Sequence, residues 1–189
     1  MSVNRPSRTR LLDVAGELFI RHSYAGTSLQ MIADELGFTK GAIYHHFRTR
    51  EELLLGLIEP LRVLLVDIVA TAEAKPTGRA RAELMLTGYA ELAADNRALV
   101  AVLHGDPGVH AALRANAEWS QLIDRQMALL AGADPGPGGL IKTAIVMAGF
   151  AAASGPEIAD VDDDQLRVLL IEAGRRTLGL RATRPSTTT

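Results

Sequence analysis

Residues 27–47 read TSLQMIADELGFTKGAIYHHF, and the spacing of their apolar side chains decides the fold. Leu29, Ile32, Ala33 and Leu36 stand at i, i+3, i+4 and i+7, the pattern of a helix with one apolar face. Gly37 follows, able to take the positive φ that ends such a helix. A second, short helix is expected from about Lys40 to His46, with Thr39 as its N-cap. Thr27 with Gln30 has the form of a capping box for the first helix, a hydroxyl answered by a side chain that reaches back from position N3. Capped helix, tight turn and short second helix are the plan of a helix-turn-helix: Ile32, Ala33, Leu36 and Ile43 pack together and the second helix projects into a major groove. The same pattern also fits an ordinary pair of packed helices. What separates the two is the surface of the second helix. Thr39, Lys40, Gly41, Ala42, Tyr44, His45 and His46 are polar or small, where a purely structural helix this short would bury more.

Around this stretch the chain reads as all-α, with about nine helices. Strand-like alternation is scarce, and Leu, Ala, Glu and Arg dominate the periodic segments. A first helix over Pro6 to His22 carries Leu11, Ala15, Leu18 and Phe19 on one stripe and breaks at Tyr24-Ala25-Gly26. Thr49 with Glu52 makes a second capping box, opening a helix from near Arg50 into the 70s, in which Pro60 should kink or split the run. Further helices are expected over about Arg79 to Ala94, Asp95 to His104, Val109 to Leu130, Leu140 to Ala153 and Asp164 to Leu180. Breaks fall at Lys75-Pro76-Thr77-Gly78, at Gly105-Asp106-Pro107-Gly108 and in the glycine- and proline-rich loop from Ala131 to Gly139.

Composition narrows the function classes. The chain has 189 residues, 48% of them apolar and 22% charged. No apolar run reaches the roughly 18 residues of a membrane span, and the basic N-terminal stretch has no apolar region behind it, so no membrane partner and a cytoplasmic location are expected. The absence of cysteine excludes disulfides and thiolate metal sites. The net charge of −2 hides an asymmetry: residues 1–50 hold seven basic and four acidic side chains, the remainder 13 and 18. A cationic first quarter on an anionic body suits a polyanion-binding module, although such an excess is common by chance. His45 and His46 point about 100° apart as helical neighbours and are poor joint ligands for a metal. Asp160, Asp162, Asp163 and Asp164 lack the central Gly and distal Glu of a calcium loop and read as an acidic cap on the last helix. An all-helical enzyme is the reading from another class, but its best acid–base pair is only His104 near Asp106, so no catalytic residue, cofactor or metal is expected.

The stretch from Arg10 to Glu59 resembles the N-terminal domain of TetR-family regulators. The resemblance rests on Ala15, Leu18 and Phe19, Gly26-Thr27-Ser28, Ile32-Ala33, Gly37, the run Lys40 to Phe47 and Arg50-Glu51-Glu52-Leu53. It implies a helix-turn-helix domain over residues 1–48 and a helical ligand-binding and dimerisation domain over 49–180 that begins with a connecting helix; the polar stretch 181–189 reads by its composition as a disordered tail. It implies, too, a homodimeric repressor released from a palindromic operator on double-stranded DNA by an unknown small molecule, with half-sites roughly 34–36 Å apart. A ligand-independent or activating regulator of the same fold is the alternative. In the DNA-binding role Tyr44 and His45 would meet the backbone or a base edge. Thr39, Lys40, Gly41 and Ala42 would open the recognition helix toward the groove, Thr27 and Ser28 would offer backbone N–H groups to a phosphate, and Arg48 and Arg50 would add cationic contacts. Phe47 reads as core; His46 stays open between core edge and phosphate.

Beyond residue 60 the resemblance adds no sequence support, and the expectations rest on residue type. Small Ala144, Ala148, Ala151 and Ala152 on one helix, with Leu166, Leu169, Leu170 and Ala173 on the next, suit a four-helix interface between two copies, though intrachain core would use the same residues. An adaptable apolar pocket is expected from Met85, Tyr89, Trp119, Met127, Met147 and Phe150, with His104 and Arg62 as polar candidates alongside His110, Asn116 and Gln126. Arg62 draws interest because a ligand that displaced it could swing the fourth helix, which joins the two domains.

Overall fold

The structure, a computed structural model, describes residues 7–155 and 158–180, and of residues 104 and 105 only the backbone. The expected tail at 181–189 therefore lies outside the described residues, as does the His104 side chain. Among the described residues ten helices follow one another: α1 Arg8–Gly26, α2 Leu29–Leu36, α3 Lys40–Tyr44, α4 Arg50–Glu73, α5 Gly78–Asp95, α6 Arg97–Gly105, α7 Pro107–Ala115, α8 Ala117–Ala131, α9 Pro137–Ala153 and α10 Asp163–Leu178. The same residues contain no strand, and no helix among them is long and apolar enough to cross a membrane.

Ten helices stand where about nine were expected because the seventh divides at Asn116. That residue is extended (φ −84°, ψ 119°) and its side chain accepts from the Trp119 N–H at 3.1 Å, so it caps α8 instead of continuing α7. Prolines open two helices earlier than the apolar pattern suggested: Pro107 begins α7 and Pro137 begins α9, positions where a missing N–H costs nothing. Pro60, by contrast, stands inside α4 without splitting it. An interior proline costs about 3 kcal/mol, but Leu53, Leu54, Ile58, Leu61, Leu65 and Val69 are all buried along this helix. At about 1.5–3 kcal/mol each they hold both halves against the same core. Pro60 itself faces solvent, where water can serve the Gly56 carbonyl that it leaves without a donor.

α2 packs on α1 and α3 on α2, while α1 also packs on α4, which runs along α5 and α8; α10 lies across α5 and α9. The approach of α10 to α5 is close enough that a methyl at Gly174 would run into Leu86. α1 also touches α6 and α7.

Candidate nucleic-acid interface

The first helix ends by a backbone reversal, not by fraying. Ser23 takes φ 63° and ψ 164°, a left-handed value for a non-glycine residue, and this turns Tyr24 inward. Its ring meets Phe19 edge-on, with centroids 5.3 Å apart. Thr27 is buried with it, its hydroxyl donating to the Ser23 carbonyl at 2.8 Å and the Leu18 carbonyl at 3.2 Å. The cap of α2 is therefore Ser28, whose Oγ accepts from the Met31 N–H at 3.2 Å. This corrects the Thr27–Gln30 capping box: Gln30 instead donates to Asp34 at 2.7 Å. Gly37 closes α2 at φ 67°, its N–H returning to Asp34, and Phe38 N–H reaches Ala33 O at 2.9 Å. The second capping box holds, with Glu52 N–H donating to Thr49 Oγ1 at 3.0 Å; the Glu52 carboxylate accepts from Arg48 N–H at 2.7 Å, one residue beyond the cap.

The turn leaves α3 with one buried side chain, Ile43, and a polar remainder. Lys40, Gly41, Tyr44 and His45 are exposed and recur at the spacing that shares a helix face. Lys40 Nζ lies 5.5 Å from the Tyr44 ring centroid, so the cation and the aromatic hydroxyl are presented together. Thr39, at the N-cap but without a side-chain cap bond, is exposed beside them, as are Ser28 and Arg48; Ala42 is half-buried. Two residues expected on this surface are turned inward. Thr27 is spent on the α1 carbonyls. Arg50 Nη1 donates to the carbonyls of Tyr24, Ala25 and Thr27 at 3.0, 3.0 and 3.1 Å, and its guanidinium covers the Tyr24 ring at 4.2 Å. Those carbonyls, exposed by the reversal at Ser23, are what the cation satisfies. Phe47 is core.

A second clamp holds the same turn. Asp106 is buried between α6 and α7; one carboxylate oxygen accepts from the Ala25 N–H at 2.9 Å, the other from the Gly108 N–H at 2.7 Å, capping α7. Burial pushes its carboxyl up, but the N–H groups of Ala25, Gly108, Val109 and Tyr24 outweigh that and hold it below the usual carboxylate value.

Beyond this turn, α4 to α9 enclose a cavity of about 260 Å³. Tyr89, Trp119, Met127 and Met147 line it, joined by Leu61 and Leu65 of α4, Leu103 of α6, and Gln126 and His110. Burial raises the Tyr89 hydroxyl, and its ring stacks on Phe150 at 5.9 Å. Phe150 and Met85 stand behind the wall in the core, and Arg62 is held elsewhere, so these three expectations are corrected. Arg62 makes a two-point contact with Glu59 at 2.6 and 2.8 Å and reaches Glu118 at 3.6 Å. The i,i+3 spacing of Glu59 and Arg62 was the signal for that pair.

α9 and α10 carry a second exposed surface, and it is apolar. Leu140, Ile141, Ile145, Val168 and Leu169 are each 47–62% exposed. Ala144, Ala148, Ala152 and Ala173 are exposed with them and Ala151 is half-buried. Leu166 and Leu170 are instead buried within the chain, a correction that follows from their i,i+4 stripe facing α9 and α5. Apart from Leu169, residue type alone did not single out the large side chains of this face. Among the described residues no group of three or more His, Asp or Glu side chains is placed to hold a metal ion.

A capped helix, a left-handed glycine turn and a short polar helix, set on a larger helical body, define a helix-turn-helix protein. Residues 11–57 match the family described as bacterial regulatory proteins, tetR family. The HTH-type transcriptional repressor KstR2 of Rhodococcus jostii is 34% identical over 97 residues, 49% of this chain and 46% of that protein. The HTH-type transcriptional regulator TtgR of Pseudomonas putida is 32% identical over 95 residues, 48% of this chain and 45% of that one. The chain thus matches less than half the length of these curated relatives. The solved ketosteroid transcriptional regulator KstR2 of Mycobacterium tuberculosis shares the fold, with a TM-score of 0.64 at 19% identity over 94% of this chain and 95% of that one.

Proposed function

We propose that the chain is a DNA-binding transcriptional regulator of the cytoplasm, a repressor that leaves its operator when a small molecule fills the cavity behind the helix-turn-helix. Residues 1–48 would form the reader and residues 49–180 the sensor, paired with a second copy through α9 and α10. The observation that carries the reading is the division of α3: Ile43 is fully buried, while Lys40, Gly41, Tyr44 and His45 stand out on one face. A helix kept for packing alone would bury more. The repressor names of relatives matched over the same domain support the direction of control, and the apolar face of α9 and α10 supports a symmetric partner, since exposed patches of this kind mark interfaces.

A mobility-shift titration tests the proposal. The protein should prefer a palindrome in the DNA upstream of its own gene. If it neutralises about 6–10 phosphates, affinity should fall by about 10³–10⁵ between 50 and 200 mM salt. Lys40→Ala combined with Tyr44→Ala should abolish the shift while circular dichroism and the melting temperature stay unchanged. Loss of folding in that variant, or salt-insensitive binding without palindrome preference, would return α3 to a packing role.

A further inference from the structure

We infer that the effector is an uncharged, mainly apolar molecule of about ten heavy atoms whose one hydrogen-bonding oxygen docks on the side-chain amide of Gln126; this rests on the ligand-responsive reading above.

The size follows from the cavity. A void of about 150 Å³ lined by apolar groups takes up benzene, so about 260 Å³ suits a fused pair of rings. The wall is apolar over most of its extent, with Leu61, Leu65, Leu103, Leu113, Ile123 and Met127 around the Trp119 and Tyr89 rings. Gln126 breaks that wall. Only 2% of the residue is exposed, and among the described residues its one hydrogen-bond partner is the Met147 sulfur, 3.6 Å from Nε2. A thioether is a weak acceptor and an amide can make several strong bonds, so the group is held in the wall with most of its capacity unused. A carbonyl or hydroxyl oxygen entering the cavity would displace the sulfur as acceptor. Charge is selected against. Arg114 and His110 are the basic groups of the wall, but both residues are exposed and Arg114 is already paired with Asp124 at 2.5 Å, so a carboxylate inside would be desolvated with no buried countercharge beside it.

Trp119 is the chain's sole tryptophan and lines the cavity, so its fluorescence reports occupancy directly. The full-length protein is titrated with tetralin, with the ketone tetralone and with tetralin carboxylate, and with the same three after Gln126→Met, which keeps volume but removes the amide. Tetralone should bind about 2–12-fold more tightly than tetralin, the carboxylate should be the weakest, and Gln126→Met should erase the preference for the ketone. Equal binding of ketone and hydrocarbon in the unaltered protein overturns the inference, and so does tighter binding of the carboxylate; either leaves the cavity a ligand site. No saturable quenching by any of the three also overturns it, and the DNA-binding reading then stands or falls on the mobility shift alone.

Discussion

Asp106→Ser keeps an oxygen able to cap α7 but leaves it one bond too short to reach the Ala25 N–H, which Asp106 holds at 2.9 Å. Asp106→Ala removes both bonds. Serine already caps α1 and α2 in this chain, accepting at 3.2 Å in each case, so the cap alone should survive in the first variant. A hydrogen bond to a charged acceptor is worth about 1.5–3 kcal/mol. Because Ala25 is exposed, water can take over its N–H, which places the loss at the lower end, about 1.5 kcal/mol. In a chain of this size that is roughly 3–6 °C of melting temperature. Asp106→Ala should lose about 1 kcal/mol more, the usual value of an N-cap. The pH dependence has a definite sign. The Asp106 carboxyl is held below its ordinary value of 3.8, so its contribution is complete above that value and is lost as the pH falls through the lower folded one. Thermal melts at fixed protein concentration should therefore show the gap between the natural protein and Asp106→Ser in full at pH 7 and narrowing below about pH 4. A serine variant that melts with the natural protein at pH 7, or a gap that persists unchanged in acid, would refute the bridge.

Arg50→Met should lower the melting temperature as well as DNA affinity, because three carbonyls lose a charged donor and the Tyr24 ring loses its cover, about 2–3 kcal/mol together; a residue that only touched phosphate would leave the melt unchanged. Ile145→Glu places a charge on the exposed face of α9, and a symmetric interface counts the change twice. At about 1.5 kcal/mol or more for each lost side chain, sedimentation should show dimer affinity weakened by at least roughly 100-fold, and an unchanged weight would remove α9 from the interface. Gly37→Ala forces a Cβ into φ 67° with no neighbour within 4 Å, so its cost is backbone strain alone, about 1–2 kcal/mol, visible as a lower melting temperature.

Local signals carried most of the fold. Gly37, the Thr49–Glu52 box and the i, i+3, i+4, i+7 stripe of α2 each act within a few residues, and each appears where it was read. What escaped depended on distant partners. Thr27 and Ser28 are adjacent hydroxyls equally able to cap; the choice is made by the Leu18 and Ser23 carbonyls, which only the fold brings to Thr27. Arg50 looks like a phosphate ligand until the reversal at Ser23 exposes carbonyls 23 to 26 positions upstream. The last helix is apolar on two faces, with Leu166, Leu170 and Leu178 inward and Val168 and Leu169 outward. A stripe read from spacing cannot say which face meets its own chain and which meets another.

The two clamps on the turn after α1 would give the cavity a mechanical link to the helix-turn-helix, were it the ligand site proposed above. Arg50 grips that turn by its carbonyls and Asp106 by an amide, and both hold Ala25. Arg50 opens α4, whose Leu61, eleven residues or roughly 16 Å further along a rigid helix, forms part of the cavity wall. Asp106 sits between Leu103 and His110, which form another part. An occupant that moved either wall would pull on one turn, and that turn leads directly into Ser28 and α2, against which α3 is packed. Arg62, on the outer side of α4 and tied to Glu59, is not needed for this route. If coupling runs this way, Asp106→Ser should leave tetralone binding at Trp119 intact while reducing the loss of operator affinity that the ligand causes. Binding and release that stay fully linked in that variant would place the coupling on α4 alone.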